Sequence, residues 1–353
     1  MIFELEIENF RGFSHSKFSG FGRINLIGGQ NNVGKTAFLE ALYLNHSPQV
    51  STLMQLRGMN KSVITAFPVR AWDNLFLNQQ RNATIRIKSV NEENLSHLLT
   101  ITVGDSTLID EESWSEILLH DEESKISTLN LIYQNGEQAI PLSSLVAHSK
   151  GILVKGGHSA ELPLPQIYWI AASLNSSEQN LARLYDQCYL DGNDDKVMQA
   201  LKIIEPSLLK ARTLTLGTPL IYLARQHENV MPLSVFGDSL NRVADLFLKL
   251  VNDRGGILLI DEIENAIHHI HQPKLWEMLF ELAGEFDVQI FATTHSLEML
   301  KAFTQISLET DAIDNNFYFK LARHIKTHEI LGTKHDVETL DYGLKHYKGV
   351  RGG

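Results

Sequence analysis

The chain has 353 residues, of which 43% are hydrophobic, and this is enough for one large domain or two ordinary ones with a substantial core. Its formal net charge of -11 argues against a surface built throughout to bind phosphate backbones. The single cysteine, Cys188, excludes an internal disulfide, and no apolar run is long enough to predict a spanning helix. We therefore expect a globular, cytoplasmic protein that does not enter a membrane.

The charge is unevenly distributed along the chain. Residues 57–88 contain six basic residues against one acid, Asp73, whereas residues 92–123 contain ten acids and no lysine or arginine. The favoured interpretation of both blocks is a solvated face. The alternative is a basic docking strip that could follow phosphates, beside an acidic strip that could hold a basic partner. The basic residues of the first block are Arg57, Lys61, Arg70, Arg81, Arg86 and Lys88.

The first half of the chain is predicted to be rich in β-strands. Residues 2–7 alternate as a strand does, and a second strand at residues 24–27 leads through a glycine-rich turn into a helix over residues 35–44. Short alternating segments then dominate residues 83–171, which predicts a largely antiparallel region. These segments are residues 84–88, 98–103, 129–133, 151–155 and 167–170.

The second half of the chain changes its periodicity. Apolar residues recur at helical spacing over residues 181–204, ahead of Pro206, and predict a small helical insert. From Leu240 onward, helical segments alternate with short apolar strands, a pattern typical of a parallel sheet covered by helices. A strand at residues 317–321 and a short helix at residues 336–346 close the chain.

The turn after the second strand fits the pattern of a phosphate-binding P-loop. Such a loop surrounds phosphates with backbone N–H groups at a helix N-terminus, and here it lies between a predicted strand and a predicted helix, as the mechanism requires. Lys35 is expected to reach the outer phosphates of ATP, and the Thr36 hydroxyl to bind Mg²⁺. The loop reads Gly29-Gln30-Asn31-Asn32-Val33-Gly34-Lys35-Thr36.

Two acids follow the apolar strand predicted at residues 257–260. Asp261 and Glu262 would stand at the carboxyl end of that strand, where α/β sheets bind their ligands. We expect Asp261 to hold Mg²⁺ and Glu262 to activate the attacking water as general base. A third strand, over residues 288–292, is followed by Thr293-Thr294-His295-Ser296, which makes His295 a candidate sensor of the γ-phosphate.

Three segments of the sequence resemble the ABC-class ATPases of the SMC/RecF/OLD group. Within that group they are similar to the AAA15-type proteins, many of which act in bacterial anti-phage systems. The segments are Phe10-Arg11-Gly12-Phe13, Asp261-Glu262-Ile263-Glu264-Asn265 and Thr293-Thr294-His295-Ser296. The resemblance covers the first 45 and the last 125 residues well, and the β-rich middle in outline. It implies an α/β fold of the ABC-type ATPase head with a P-loop. A mixed or parallel core sheet, an antiparallel β subdomain and a small helical insert would make up that head.

The resemblance also implies roles for further residues. Arg11 matches an arginine that often lies near the phosphates. Residues 232–239 occupy the place of the signature motif, which closes on ATP held by another subunit, so that Ser234, Gly237, Asp238 and Ser239 would act in trans. This chain departs from the usual pattern at Ser239, where a glycine is expected. The residues that would line the dimer interface are Glu264, Asn265 and His268, and Gln79 and Gln80 are weak candidates for the glutamine lever.

Two other groups of residues allow a functional interpretation, and for both a structural one is favoured. The three histidines within residues 268–271 could bind a metal, but the start of a helix explains them better. The aromatic side chains could stack on bases, although such side chains in β-rich regions usually belong to the core. The aromatic residues concerned are Trp72, Phe76, Trp114 and Trp169.

The resemblance implies a Mg²⁺-dependent ATPase that dimerises head to head around ATP. We expect three parts: an ATPase core lobe (residues 1–50 and 255–353), a β-rich subdomain (51–172), and a helical insert with the signature lobe (173–254). Only about 40 residues follow Asp311, too few for the C-terminal nuclease domain that OLD-type relatives often carry. The resemblance therefore favours a separate effector, a nuclease or toxin, controlled by ATP in phage defence. The alternatives are a RecF-like DNA-binding ATPase in repair or chromosome maintenance, and an assembly scaffold whose acidic block holds a basic partner.

Overall fold

The computed structural model describes residues 1–105, 108–118, 125–136, 138–156, 162, 164–173, 176–310 and 315–346. The chain forms two compact units. Unit 1 comprises Met1–Phe21, Asn31–Leu164 and Leu321–Thr333, and unit 2 comprises Gly22–Gln30, Pro165–Lys320 and Lys334–Gly353. The three-part functional division expected from the sequence stays a prediction. The last three acids of the acidic block, Asp121, Glu122 and Glu123, lie outside the described residues.

The helices and strands are numbered here in chain order. The strands are β1 (Ile2–Phe10), β2 (Phe13–Ser19), β3 (Ile24–Gly29), β4 (Ile85–Asn91), β5 (Ser96–Val103), β6 (Ser127–Asn135), β7 (Gln138–His148), β8 (Gly151–Gly156), β9 (Ile167–Ile170), β10 (Leu208–Leu216), β11 (Thr218–Arg225), β12 (Met231–Pro232), β13 (Ile257–Ile260), β14 (Gln289–Thr293), β15 (Asn316–Arg323) and β16 (Ile330–His335). The helices are α1 (Lys35–His46), α2 (Val50–Gln55), α3 (Lys61–Ala66), α4 (Glu111–Leu118), α5 (Glu178–Leu190), α6 (Asp194–Ile204), α7 (Asp238–Val251), α8 (Gln272–Glu285), α9 (Leu297–Glu309) and α10 (Val337–Lys345).

Unit 1 is built on a seven-stranded sheet in the order β2-β1-β4-β5-β6-β7-β8, with antiparallel pairing between neighbours. In β4 the alternation of the sequence becomes an alternation of burial, because Ile85 and Ile87 are buried while Arg86 between them is exposed. Trp72 is fully buried in this unit, and its indole N–H donates to the Ser127 carbonyl at 3.1 Å. The predicted antiparallel region is therefore confirmed, and Trp72 belongs to the core.

A second sheet has six strands in the order β16-β15-β3-β14-β13-β9. Its members β3, β14, β13 and β9 are parallel, and every residue of β13 and β14 is buried. Strands buried on both faces read as continuous apolar runs, which is why Ile257-Leu258-Leu259-Ile260 predicts this position. Strands β15 and β16 each continue along the chain from one unit into the other. The mixed sheet expected for the α/β core is confirmed.

Strand β9 was expected to belong to the antiparallel middle of the chain, and that expectation is wrong. It pairs in parallel with β13, with Ile257 beside Ile167 and Ile260 beside Ile170. The physical reason is that alternation specifies an extended segment but not its partner. Only Ile170 in this strand is fully buried, as befits a strand at the edge of the sheet.

The predicted helical insert is present as α5 and α6, but the chain after it was not anticipated. Strands β10 and β11 form an antiparallel hairpin whose turn residue, Gly217, has a φ of 106°, and β12 adds a third strand. The predicted helix after the signature segment is α7, and the closing strand and helix are β15 and α10.

None of the helices in the described part of the chain has the length and apolar character that crossing a bilayer requires.

Candidate functional site

The P-loop connects the end of β3 to the start of α1. Gly34 caps α1 with a φ of 105°, and its carbonyl accepts the first helical hydrogen bond, from the Phe38 N–H at 2.9 Å. A Cβ at this position would come within 2.9 Å of the Ile330 side chain, so both the torsion and the space require glycine. The turn therefore has, at a helix N-terminus, a backbone geometry that suits anion binding.

The remaining P-loop residues differ in exposure along the turn. Asn31 and Asn32 are exposed, and Asn32 has a φ of 60°, whereas Val33 is buried and anchors the loop. Lys35 is only 8% exposed, and Thr36 is half-buried. Gly29, the last residue of β3, has a φ of 140°. This backbone is suited to phosphate binding, and the individual roles of the side chains stay predictions.

Arg11 forms an ion pair with Glu40 of α1. Its Nε and one terminal nitrogen donate to the two oxygens of Glu40 at 3.1 and 3.2 Å, and the guanidinium also donates to the Asn74 and Arg57 carbonyls, each at 2.7 Å. Burial raises the pKa of Glu40, and the positive charge of Arg11 opposes that rise. All three guanidinium nitrogens thus have partners within unit 1. The expected role of Arg11 near the phosphates stays a prediction.

The acidic turn follows β13 and is organised by Thr293 from the end of β14. The Thr293 hydroxyl donates to Asp261 Oδ1 at 2.7 Å and accepts from the backbone N–H of Glu262 at 2.8 Å. Glu262 has a φ of 50°, and its carboxylate accepts from the side-chain amide of Asn265 at 2.8 Å. Both carboxylates thus lie at the carboxyl edge of the parallel strands, as predicted from the sequence. The side chains of Thr293 and Asn265 thus help to orient this turn.

His295 and Glu264 form a pair at the same edge of the sheet. The Glu264 carboxylate accepts from the backbone N–H of His295 at 2.7 Å and lies 2.8 Å from the ring Nδ1. Glu264 is largely buried and His295 exposed, so the ring is held at one end while the rest of it faces solvent. Such a pairing turns Nδ1 of the imidazole toward the Glu264 carboxylate. The other Glu264 oxygen has no hydrogen-bond partner in the described structure.

The signature segment forms a 3₁₀ turn, Leu233–Phe236, followed by Gly237, whose φ is 90°. Ser234 and Asp238 are exposed, so both can meet a second molecule. Ser239, which replaces the usual glycine, donates its hydroxyl to the Ala266 carbonyl. The substitution thus has a structural role within the chain.

Mg²⁺ prefers oxygen ligands, and the predicted ligands fit that preference. Asp261 is 1% exposed, and its Oδ1 accepts from the Thr293 hydroxyl, so the carboxylate is held as an oriented acceptor. Thr36, at the first turn of α1, would supply a hydroxyl oxygen. Both are hard ligands of the type that binds Mg²⁺ in phosphoryl-transfer enzymes.

A different group with metal-ligand spacing, Glu6, Glu8 and His15, lies on β1 and β2. His15 already pairs with Glu6 at 2.6 Å, and Arg86 lies 3.3 Å from Glu8, so these charges satisfy one another.

The structural interpretation of the histidines within residues 268–271 agrees with their position, because His268 caps a 3₁₀ turn that leads into α8.

Asp261, Glu262 and His295, whose roles were predicted from the sequence, lie on neighbouring strand ends within unit 2. No role was predicted for Thr293, although this residue belongs to the recognised segment before His295. Arg242 was also missed. It is a buried cation on α7 that donates to the Asp261 carbonyl at 2.8 Å. A threonine directly after an apolar strand could have suggested the first role, but no pattern in the sequence indicates the second.

Comparison with known proteins relates the chain to nucleotide-hydrolysing proteins. The chain is 22% identical over 338 residues to a Helicobacter pylori protein named ATP/GTP phosphatase, an alignment that covers 88% of this chain and 90% of that protein. A family model described as "AAA domain, putative AbiEii toxin, Type IV TA system" matches residues 45–301. The match covers most of the chain and includes the acidic turn and His295, while the P-loop precedes it.

Two solved structures of SMC head domains share the fold. One is an SMC head bound to the C-terminal winged-helix domain of ScpA, with a TM-score of 0.53, 10% sequence identity, and coverage of 96% of this chain and 98% of that one. The other is an SMC head with an extended coiled coil bound to the C-terminal domain of ScpA derived from Pyrococcus furiosus, with a TM-score of 0.53, 9% identity, and coverage of 98% and 99%. The fold is therefore the α/β head of SMC and ABC-type ATPases, as expected. The chain belongs to the AAA-domain family described as putative AbiEii toxin, Type IV TA system, and is an ATPase.

Proposed function

We propose that this ATPase hydrolyses Mg²⁺-ATP at a site that two copies of the chain complete by associating head to head. The observation that carries the proposal is the acidic turn of Asp261 and Glu262, oriented by Thr293 and followed by the pair of His295 and Glu264. An oriented carboxylate pair at a strand end suits metal binding and water activation. The P-loop supplies the complementary element, a backbone cradle with a lysine for the phosphates.

The division of work among the residues follows from their chemistry. Lys35 and the P-loop N–H groups bind the phosphates, and Asp261 with Thr36 holds Mg²⁺, which neutralises phosphate charge when bound. Glu262 accepts a proton from the attacking water, and Asn265 fixes the direction of its carboxylate. His295 contacts the terminal phosphate. The exposed Ser234 and Asp238 supply the signature contact to ATP in the partner copy, and Glu264, Asn265 and His268 line the interface.

The cellular role we propose is control of a separate toxic effector, a nuclease or toxin, in bacterial phage defence. The family description names a toxin and a toxin–antitoxin system, which supports an association with toxicity. ATP and ADP would favour different arrangements of the paired heads, and the effector would respond to that difference. A neighbouring gene for a nuclease or toxin would support this role, whereas repair or replication genes would favour the DNA-binding alternative.

Ion pairs within the basic block count against the RecF-like DNA-binding role. Within the basic block, Arg70 and Arg81 both pair with Asp73, at 2.8 and 3.4 Å, and Arg86 pairs with Glu8. Charges neutralised within the chain contribute less to phosphate binding. DNA affinity that falls steeply with salt would nevertheless restore the alternative.

The experiment that tests the ATPase assignment combines nucleotide binding with hydrolysis. Lys35→Ala should abolish ATP binding, because it removes the charge directed at the phosphates. Lys345→Ala, on α10, is the matched control, since Lys345 is exposed and pairs with Asp341 one turn away. Parent-like ATP affinity in a folded Lys35→Ala protein would refute the P-loop assignment.

A further inference from the structure

Helix α7 carries three buried charged side chains on one face. Arg242, Asp245 and Lys249 are 3%, 0% and 6% exposed, and their spacing of three and four residues aligns them along the helix. Burying charge costs several kcal/mol per ion unless partners compensate it. Helix charges normally lie in water, so a buried row of them requires a specific set of partners.

The partners of Arg242 are backbone carbonyls at the ends of two strands. One terminal nitrogen donates to the Asp261 carbonyl at 2.8 Å and approaches the Glu262 carbonyl at 3.5 Å, and the other donates to the Ala171 carbonyl after β9. The guanidinium thus holds the main chain of both residues of the acidic turn. Its Nε has no hydrogen-bond partner among the described residues, so the charge is balanced chiefly through these contacts and the nearby carboxylates.

The other two members of the charged row have different partners. Lys249 donates to the Trp169 carbonyl at 3.0 Å and pairs with Asp245 at 2.9 Å. Burial lowers the pKa of Lys249, and Asp245 opposes that effect. Lys249 therefore anchors α7 to β9, and Asp245 balances its charge. Arg242 is the member of the row that donates to the residues that would bind metal and activate water.

The first turns of α7 are joined to the signature segment as well. The Asn241 side chain donates to the Gly237 carbonyl at 2.8 Å and to the Leu233 carbonyl at 3.3 Å, which ties the 3₁₀ turn to the helix. Ser239 donates to the Ala266 carbonyl, in the segment that follows the acidic turn. One helix therefore contacts both the signature segment and the acidic turn.

We propose that Arg242 is a positioning residue that couples the signature segment to the acidic turn of the same chain. This inference rests on the proposed function. When the signature segment meets the ATP of a partner copy, α7 responds as a rigid element, and Arg242 transmits its displacement to the backbone of Asp261 and Glu262. Engagement of the partner's nucleotide then improves the placement of Glu262 and speeds hydrolysis at the chain's own site.

The first test is Arg242→Lys, with Arg23→Lys as the matched control. Arg23 also donates to a main-chain carbonyl, that of Ala283 at 3.2 Å, but it precedes β3 and pairs with Asp287 at 2.9 Å. A lysine can donate to one of these carbonyls, but it lacks the forked guanidinium geometry with which Arg242 donates to carbonyls at two strand ends. We expect Arg242→Lys to lower kcat about tenfold or more with ATP affinity changed less than about threefold, and Arg23→Lys to leave both unchanged.

A double-mutant cycle separates coupling from a general structural role. If Arg242 acts through the signature segment, the effects of Arg242→Lys and Ser234→Ala on kcat should be non-additive by about threefold or more. Arg242→Gln, which keeps a donor and removes the buried charge, repeats the cycle if the lysine variant does not fold. A folded variant with parent-like kcat, or additive effects, would overturn the inference. An inactive parent chain would instead refute the proposed function itself.

Discussion

The Glu264 carboxylate accepts the backbone N–H of His295 at 2.7 Å and lies 2.8 Å from its Nδ1. Because Nδ1 faces Glu264 and the side chain is exposed, Nε2 is the ring nitrogen left to meet a ligand. Glu264 therefore determines which way the proposed phosphate sensor points. The pair also joins the segment after β13 to the segment after β14.

Glu264→Gln should impair turnover more than nucleotide binding. Both His295 contacts go to Oε1 of Glu264, and a neutral amide oxygen accepts them more weakly than a carboxylate oxygen, so the ring is held less firmly. We expect kcat to fall about tenfold, with ATP affinity within about threefold of the parent. Steady-state ATPase assays with equilibrium nucleotide titrations measure both, and Glu281→Gln, an exposed position on α8, is the control. An unchanged kcat would show that the pair has no part in hydrolysis.

Glu262→Gln should bind ATP and hydrolyse it slowly. Removal of a general base typically costs about 10²- to 10⁴-fold in rate, and the amide retains the size of the side chain and a partner for Asn265. Single-turnover hydrolysis measures the chemical step directly. We also expect the variant to accumulate the ATP-bound assembly, which light scattering would detect. Hydrolysis at the parent rate would exclude Glu262 as the base.

Thr293→Val should remove two hydrogen bonds that hold the acidic turn in place. Valine preserves the β-branched shape but removes the hydroxyl that serves Asp261 Oδ1 and the Glu262 N–H. The loss of a buried hydrogen-bonding group costs about 1–3 kcal/mol of stability, and we expect at least a tenfold loss of kcat. Thr293→Ser, which keeps the hydroxyl, should retain most activity. Equal activities of the two variants would contradict the role given to the hydroxyl.

Asp253 gives the protein a pH-dependent stability. Burial raises its pKa from 3.8 to about 8, and the folded chain therefore keeps a proton that the unfolded chain releases. The stabilisation is complete below the unfolded pKa and is lost as the pH rises toward 8. Burial lowers the pKa of His46 from 6.5 to about 3, which gives the opposite slope, but only below pH 6.5. Of these two groups, Asp253 should therefore determine how the free energy of unfolding changes between pH 6.5 and 8.

Asp253→Asn should flatten that slope. The parent's free energy of unfolding should decline by up to about 1.4 kcal/mol per pH unit relative to the variant across this window. Denaturant unfolding at several pH values measures the difference, and the exposed Asp186→Asn on α5 is the control. The same pH dependence in the parent and in Asp253→Asn would contradict the raised pKa.

Much of the architecture could be predicted from local pattern, and the failures have physical causes. The strand, loop and helix around Lys35 and the buried strand before Asp261 follow from periodicity and glycine chemistry, which act locally. The partner of β9 could not be predicted, because strand pairing is decided by contacts distant in sequence. The β10–β11 hairpin around Gly217 was not predicted, because the register shifts between Leu208 and Lys210 and burial along β10 does not alternate regularly.

The site, too, depends partly on local sequence patterns and partly on contacts between residues that are distant in the sequence. The ends of β13 and β14 bring Asp261 and Thr293 together because parallel neighbours end at one edge of a sheet. Arg242 could not be assigned from the sequence, since an arginine within an amphipathic helix normally faces water. Its burial becomes explicable only when the carbonyls at the strand ends are known.

The central claim is that two copies of the chain complete each ATP site, and a mixing experiment tests it most directly. Ser234→Arg should bind ATP but block the signature contact, and Lys35→Ala should lack ATP binding while keeping an intact signature, so each variant alone should be inactive. If sites are composite, an equimolar mixture should recover up to about a quarter of parent activity, because half of random dimers contain one complete site of two. No recovery from two folded variants, or full activity of Ser234→Arg alone, would contradict the account.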